Sequence, residues 1–151
     1  MTSMHAKIEW VDNVHFKAVA DTGCEVLMDG PPDAGGQGRG ARPMELVLMG
    51  LGGCTSYDVV SILRKSRQYV TGCTTEIEAE RAENEPKVFT RIHIHFRVTG
   101  RGLDHARVAR AVALSAEKYC SASIMLERGG VAMSHDFAIF EADAQALGSE
   151  A

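Results

Sequence analysis

The sequence predicts an α+β fold. Short alternating segments open the chain and recur in its middle, and one long apolar segment lies between them. Read in order, the elements run βββ-α-ββ-αα-β. The strands come in antiparallel-looking groups, without the regular strand–helix–strand alternation of a parallel sheet.

Lys7-Ile8-Glu9-Trp10 alternates polar and apolar residues, as does the stretch around Phe16, and each predicts a strand. Asp12-Asn13 suits the hairpin turn between them. A third short strand, Glu25 to Met28, ends at Asp29-Gly30-Pro31. Residues 30–42, GPPDAGGQGRGAR, read as a flexible surface loop. Pro43 fits the first position of a helix, and Glu45 lies in the first turn, where a carboxylate suits the dipole. This helix is expected to reach about Gln68. Its first half, with Leu46, Val47, Leu48, Met49 and Leu51, is apolar almost all round, so it is expected to be buried on more than one side, the second against a partner subunit.

Two alternating strands come next. Glu76, Glu78 and Glu80 oppose Ile77 and Ala79 on the first. On the second, Ile92, Ile94, Phe96 and Val98 oppose Arg91, His93, His95 and Arg97. Asn84-Glu85-Pro86 turns between them. A helix from Asp104 to about Tyr119, a short helix after Cys120 ending at Gly129-Gly130, and a last strand from Val131 to Phe140 complete the chain. A weakly ordered tail over about 142–151 is expected. All 151 residues are read as one domain, since no repeat or domain-scale linker interrupts them.

Composition narrows the function. With 45% hydrophobic and 24% charged residues, a packed globule is expected. A net charge of -4 and no basic run argue against nucleic-acid binding. Met1 to Lys7 lacks the apolar core of a signal peptide, and no apolar run approaches the roughly 18 residues of a spanning helix. No membrane association and a cytoplasmic location are expected. In that compartment the four cysteines read as thiols rather than as a disulfide framework.

Cys54 lies inside the apolar helix, after Gly52-Gly53. Two glycines cost a helix interior roughly 1 kcal/mol each against alanine. Such a pair points to a close approach or a kink. Cys120 lies where one helix ends and another begins, with Ser121 a fair N-cap. A helix N-terminus stabilises a thiolate, which predicts a lowered pKa there. For each cysteine the plain alternative is a buried thiol acting as a small hydrophobe. Cys24 and Cys73 read as structural. His93 and His95 share a strand face but lack an evident third ligand, so no metal is expected. The glycine-rich loop lacks a P-loop ending, and no G-x-S-x-G is present. No cofactor is expected.

The segment from Arg42 to Cys54, RPMELVLMGLGGC, resembles the central-helix motif of the OsmC/Ohr family. Ala116 to Ser121, AEKYCS, resembles its second-cysteine motif, and Tyr57 to Lys65 resembles the YhfA-like branch. The similarity extends from about Ala6 to Phe140. It implies antiparallel sheets wrapped around a long central helix in an intertwined homodimer. It also implies a thiol-dependent peroxidase for small hydrophobic hydroperoxides. Cys54 would be the peroxidatic thiolate, Cys120 the resolving thiol, and a dithiol the reductant. The family's peroxidases open the helix with Asn-Pro-Glu, whose Glu orients a catalytic Arg. Here Met44 takes that place and Glu45 is the next residue, so Glu45 is the candidate orienting carboxylate, turned by about 100°. No Arg precedes the loop, and Lys17, Arg39 and Arg42 are the nearest cations. A non-catalytic protein holding a small hydrophobic ligand in the dimer pocket is the alternative reading.

Overall fold

A computed structural model describes residues 3–143 of the chain. The expected weak tail lies, from residue 144 onward, outside the described residues. The chain divides into two compact units, Met1–Met49 and Gly50–Ala151.

The first unit is a three-stranded antiparallel sheet of β1 (Ala6–Asp12), β2 (His15–Ala20) and β3 (Glu25–Met28), in that order. Trp10 pairs with Phe16 and Phe16 with Met28. Asn13 turns the first hairpin at φ 44, a left-handed conformation that asparagine tolerates. Every residue of β1 is exposed.

Residues 30–42 are anchored rather than free. Asp29, buried at the end of β3, accepts backbone N–H bonds from Gly30 at 2.9 Å, Gln37 at 3.0 Å and Arg39 at 3.1 Å. Pro32–Ala34 form a 3₁₀ turn, and Ala41 bridges back to Met28. One buried carboxylate organises this glycine-rich segment, a role that composition alone does not disclose. Gly36 is required there, because a Cβ would lie 1.8 Å from the Gly30 carbonyl oxygen.

Helix α1 (Pro43–Lys65) starts where the proline predicted. The Glu45 carboxylate accepts from the Arg42 N–H at 2.8 Å, one half of a capping box. The helix buries Leu51, Thr55, Val59 and Leu63, an i, i+4 stripe on one side only. Within the single chain Val47, Met49 and Tyr57 are exposed. The spanning-length expectation is corrected. α1, 23 residues long, is long and apolar enough to cross a membrane by length and composition, with mean hydropathy 1.6 over an 18-residue stretch. The interspersed Gly, Thr and Ser and the single Asp58 break the apolar run, while the many Leu, Val and Ile keep the mean high.

The second unit holds a sheet in the order β4 (Tyr69–Arg81), β5 (Phe89–Arg101), β6 (Ala132–Glu141). β4 and β5 are antiparallel, but β5 and β6 are parallel. This corrects the expectation of purely antiparallel sheets. Between β5 and β6 the chain crosses through α2 (His105–Leu114), a π turn (Ser115–Tyr119) and α3 (Ser121–Arg128), which returns it to the same end of the sheet. The inward face of β5 is the predicted one: Ile92, Ile94, Phe96 and Val98 are all buried, with Val108, Ala111 and Val112 of α2. Asp104 caps α2 by accepting from the Ala106 N–H at 3.1 Å.

Candidate functional site

The second unit brings Cys54 and Cys120 together. Cys54 projects from α1 one turn before Asp58, so the two share a helix face. Cys120 comes directly after the π turn, whose five-residue closure is the Cys120 N–H bond to the Ser115 carbonyl at 2.8 Å. A π turn inserts one extra residue and re-aims the residues beyond it, a device common at functional sites. One ligand-type atom from each of Cys54, Asp58 and Cys120 lies within 4.8 Å of the other two. Both cysteines are free thiols.

Ser115 fastens this geometry. Its buried hydroxyl meets Thr55 Oγ1 at 2.8 Å and donates to Asp58 Oδ2 at 3.1 Å. α1 is thus tied to the π turn by side chains from both sides of the site. A further bond at 2.5 Å links Ser56 Oγ to Thr75 Oγ1 on β4. Gly52 shows the close approach its residue type predicted, since a Cβ there would lie 3.1 Å from Ile77 Cδ1. A Cβ on Gly53 would meet no other element within 4 Å among the described residues.

The two thiols are unequal. Cys54 is half-buried and reachable, whereas Cys120 is fully buried. Burial pushes the Cys120 thiol up to about 11, and contact with Cys54 and the charges of Cys54 and Asp58 push the same way. The Ser123 N–H, donated to Cys120 Sγ at 3.4 Å, only partly opposes this. The expected lowering at the helix N-terminus is therefore corrected, because desolvation outweighs one hydrogen bond. Cys120 itself is the N-cap, in place of the expected Ser121, which is the first helical residue.

Cys24 is exposed, against its structural reading, and Cys73 is half-buried. Burial raises the Cys73 thiol, with Thr75 opposing. His93 and His95 do find a shared acid: Asp136 Oδ1 lies 3.1 Å from His93 Nε2 and 2.6 Å from His95 Nδ1. Of the candidate cations, Arg39 makes a two-pronged contact with Asp12 and approaches Asp29 at 3.7 Å, all within the first unit. Glu45 belongs to that unit and is engaged as a helix cap. Sequence reasoning missed Asp58, Thr55 and Ser115. Only Asp58 left a usable signal, its i, i+4 spacing from Cys54.

Comparison with known proteins gives the frame for these residues. A family model described as OsmC-like protein matches residues 36–136. Protein YhfA of Escherichia coli K12 is 47% identical over 139 residues, covering 92% of this chain and all of that protein. Among solved structures, a hypothetical protein from Aquifex aeolicus superposes with a TM-score of 0.82 at 26% identity, over 95% of this chain and 100% of that one. The organic hydroperoxide resistance protein OhrB of Bacillus subtilis matches in fold, with a TM-score of 0.60 at 16% identity, over 91% of this chain and 98% of that one. With a family match over most of its length and a full-length relative at 47% identity, the chain belongs to the OsmC family.

Proposed function

We propose that this protein is a thiol-dependent peroxidase that reduces organic hydroperoxides. The carrying observation is the pair of close, unequal thiols: reachable Cys54 beside buried Cys120. The Cys54 thiolate attacks the terminal oxygen of ROOH. The O–O bond breaks, ROH leaves with a proton, and Cys54 becomes a sulfenic acid. Cys120, protonated at rest by its raised pKa, gives up its proton and attacks the Cys54 sulfur as a thiolate. A disulfide forms, and the sulfenic oxygen leaves as water with the Cys120 proton. Asp58 stands where it can carry that proton. A dithiol reductant restores both thiols and is itself oxidised to a disulfide. A reducing cytoplasm suits this cycle.

The reading includes a homodimer. Exposed Val47, Met49 and Tyr57 on α1, and exposed Ile8, Trp10 and Val11 on β1, form apolar surface of the kind a second copy covers. It also gives Glu45 the positioning role of orienting a cation. Gln at this place keeps the capping bond. Glu45→Gln should therefore lower turnover about tenfold without loss of helix, by removing a charge worth roughly 1 kcal/mol. Unchanged turnover would leave Glu45 a cap alone.

The test is consumption of cumene or tert-butyl hydroperoxide with a dithiol reductant. Wild type should turn over, Cys54→Ser should not, and Cys120→Ser should halt at the sulfenic acid. Absence of turnover in reduced wild type overturns the proposal.

One observation favours a second reading, a binding protein for a small hydrophobic ligand. A groove of about 460 Å³ beside Asp58 is walled by Tyr57, Ile62, Leu114 and Tyr119, with Lys65 and Arg110 among its lining. A ligand that co-purifies with an inactive protein would establish it.

A further inference from the structure

We propose that Cys54, Asp58 and Cys120 form a binding site for a soft divalent cation of the zinc class, available while both thiols are reduced. This inference rests on the juxtaposition of the three side chains and stands apart from the peroxidase reading.

Three donor atoms, two sulfurs and a carboxylate oxygen, lie within 4.8 Å of one another. In a tetrahedral zinc site, with Zn–S near 2.3 Å and Zn–O near 2.0–2.2 Å, donor atoms stand about 3.4–3.8 Å apart. The trio thus needs to draw in by at most about 1 Å to reach sulfur–sulfur spacing, a movement within the reach of side-chain rotation. Cys54 and Asp58 are a chelating pair at i, i+4 on one helix. Cys120 comes from a separate segment, so the set is not a chance of one helix face.

The donor set has its own outer support. Ser115 Oγ donates to Asp58 Oδ2 at 3.1 Å, which fixes the carboxylate and leaves lone pairs for a metal. The Ser123 N–H points at Cys120 Sγ. Two thiolates and a carboxylate carry three negative charges, and a divalent cation brings the net to minus one. Thiolate donors select zinc, cadmium or cobalt over magnesium and calcium. Binding replaces two S–H bonds by two metal–sulfur bonds and releases two protons. Three protein donors leave the fourth position, on the half-exposed Cys54 side, for water or another exchangeable ligand. A metal held there occupies both sulfurs, so the loaded protein resists oxidation of Cys54.

The test is anaerobic titration of the reduced full chain with Co²⁺, then displacement with Zn²⁺. Expected is a near-ultraviolet thiolate-to-cobalt band with tetrahedral visible bands, saturating at one Co²⁺ per chain. The bands should vanish in Cys54→Ser and in Cys120→Ser. Asp58→Asn should weaken binding at least about tenfold, and Ser115→Ala about 10- to 100-fold. Should Cys120→Ser fail to fold, wild type alkylated at Cys54 serves instead and should show no band. No thiolate–cobalt band in folded wild type overturns the site. So does a band that survives loss of Cys54, or an unchanged affinity in Asp58→Asn. Hydroperoxide turnover of the metal-free protein is measured in parallel. A cobalt band without turnover refutes the peroxidase and keeps the metal site, and turnover without a band does the reverse.

Discussion

The two units of this protein satisfy their apolar residues differently. The second buries its own: Leu51, Val59, Leu63, Phe96 and Val98 are each at most 1% exposed. The first leaves Trp10 68% and Ile8 54% exposed and organises itself around a buried carboxylate, Asp29. The difference teaches where each unit's stability is found. The second unit carries a hydrophobic core, of which buried Cys120 is a part, and the thiol pair. The first has hydrogen bonds and ion pairs inside the chain and apolar surface that, in the homodimer proposed here, a second copy covers.

The sharpest break of this comparison is chemical. Cys54→Ser should lower hydroperoxide turnover by at least about a thousandfold, since it removes the proposed nucleophile. Cys24→Ser, in the first unit, should leave turnover unchanged. Equal losses in both variants, read in a steady-state peroxidase assay, would show that Cys54 is not the thiol that sets turnover.

Stability gives the next contrast. Phe96→Ala should cost about 3–5 kcal/mol by denaturant unfolding, and Leu63→Ala about 2–5 kcal/mol. On an open surface Trp10→Ala costs within about 0.5 kcal/mol. In the proposed dimer it costs about 3 kcal/mol, with a dependence on protein concentration. A concentration-independent loss within the smaller range would count against a covered first sheet.

Ser115→Ala is a smaller change in the same core. It should cost about 1–3 kcal/mol, because the Thr55 hydroxyl and Asp58 lose a buried partner. It should also slow disulfide formation between Cys54 and Cys120.

The smallest effects are in pH, and they run in opposite directions in the two units. Burial raises the Asp29 carboxyl, but the N–H groups of Gln37, Arg39 and Gly30 and the Arg39 charge outweigh it and hold the group below its ordinary value. Its contribution is present above the ordinary carboxyl range and is lost as pH falls through the lowered value. Cys120 is an acid raised from 9.0 to about 11. The folded state therefore binds more protons than the unfolded one across that window, and stability falls between about pH 9 and 11. Unfolding monitored at both extremes checks both signs. Asp29→Asn should flatten the acid limb and leave the alkaline one intact.

Much of this was legible in the chain, for identifiable reasons. The period of two in β5 set its buried face, because Ile92, Ile94, Phe96 and Val98 alternate with charged residues. Pro43 marked the start of α1, since proline suits a first helical position. The motifs around Cys54 and Cys120 named the pair, and the fold brings them close. Other features left no local trace. The parallel β5–β6 pairing arises from the path of the crossover, which no single segment encodes. The π turn at Ser115–Tyr119 looks like ordinary helix, since its extra residue changes registry and not composition. The loop over 30–42 reads as free because its anchor, Asp29, is one residue outside it. Cys120 read as an activated thiol because helix position is visible in a sequence and burial is not.

The most direct test of the central claim is a single turnover with mass mapping of the cysteines. Reduced wild type receives one equivalent of cumene hydroperoxide and is then alkylated, digested and mapped. The account predicts a Cys54–Cys120 disulfide, and in Cys120→Ser a Cys54 sulfenic acid trapped by dimedone. Cys54 and Cys120 recovered as unmodified thiols, with the hydroperoxide unspent, would contradict it.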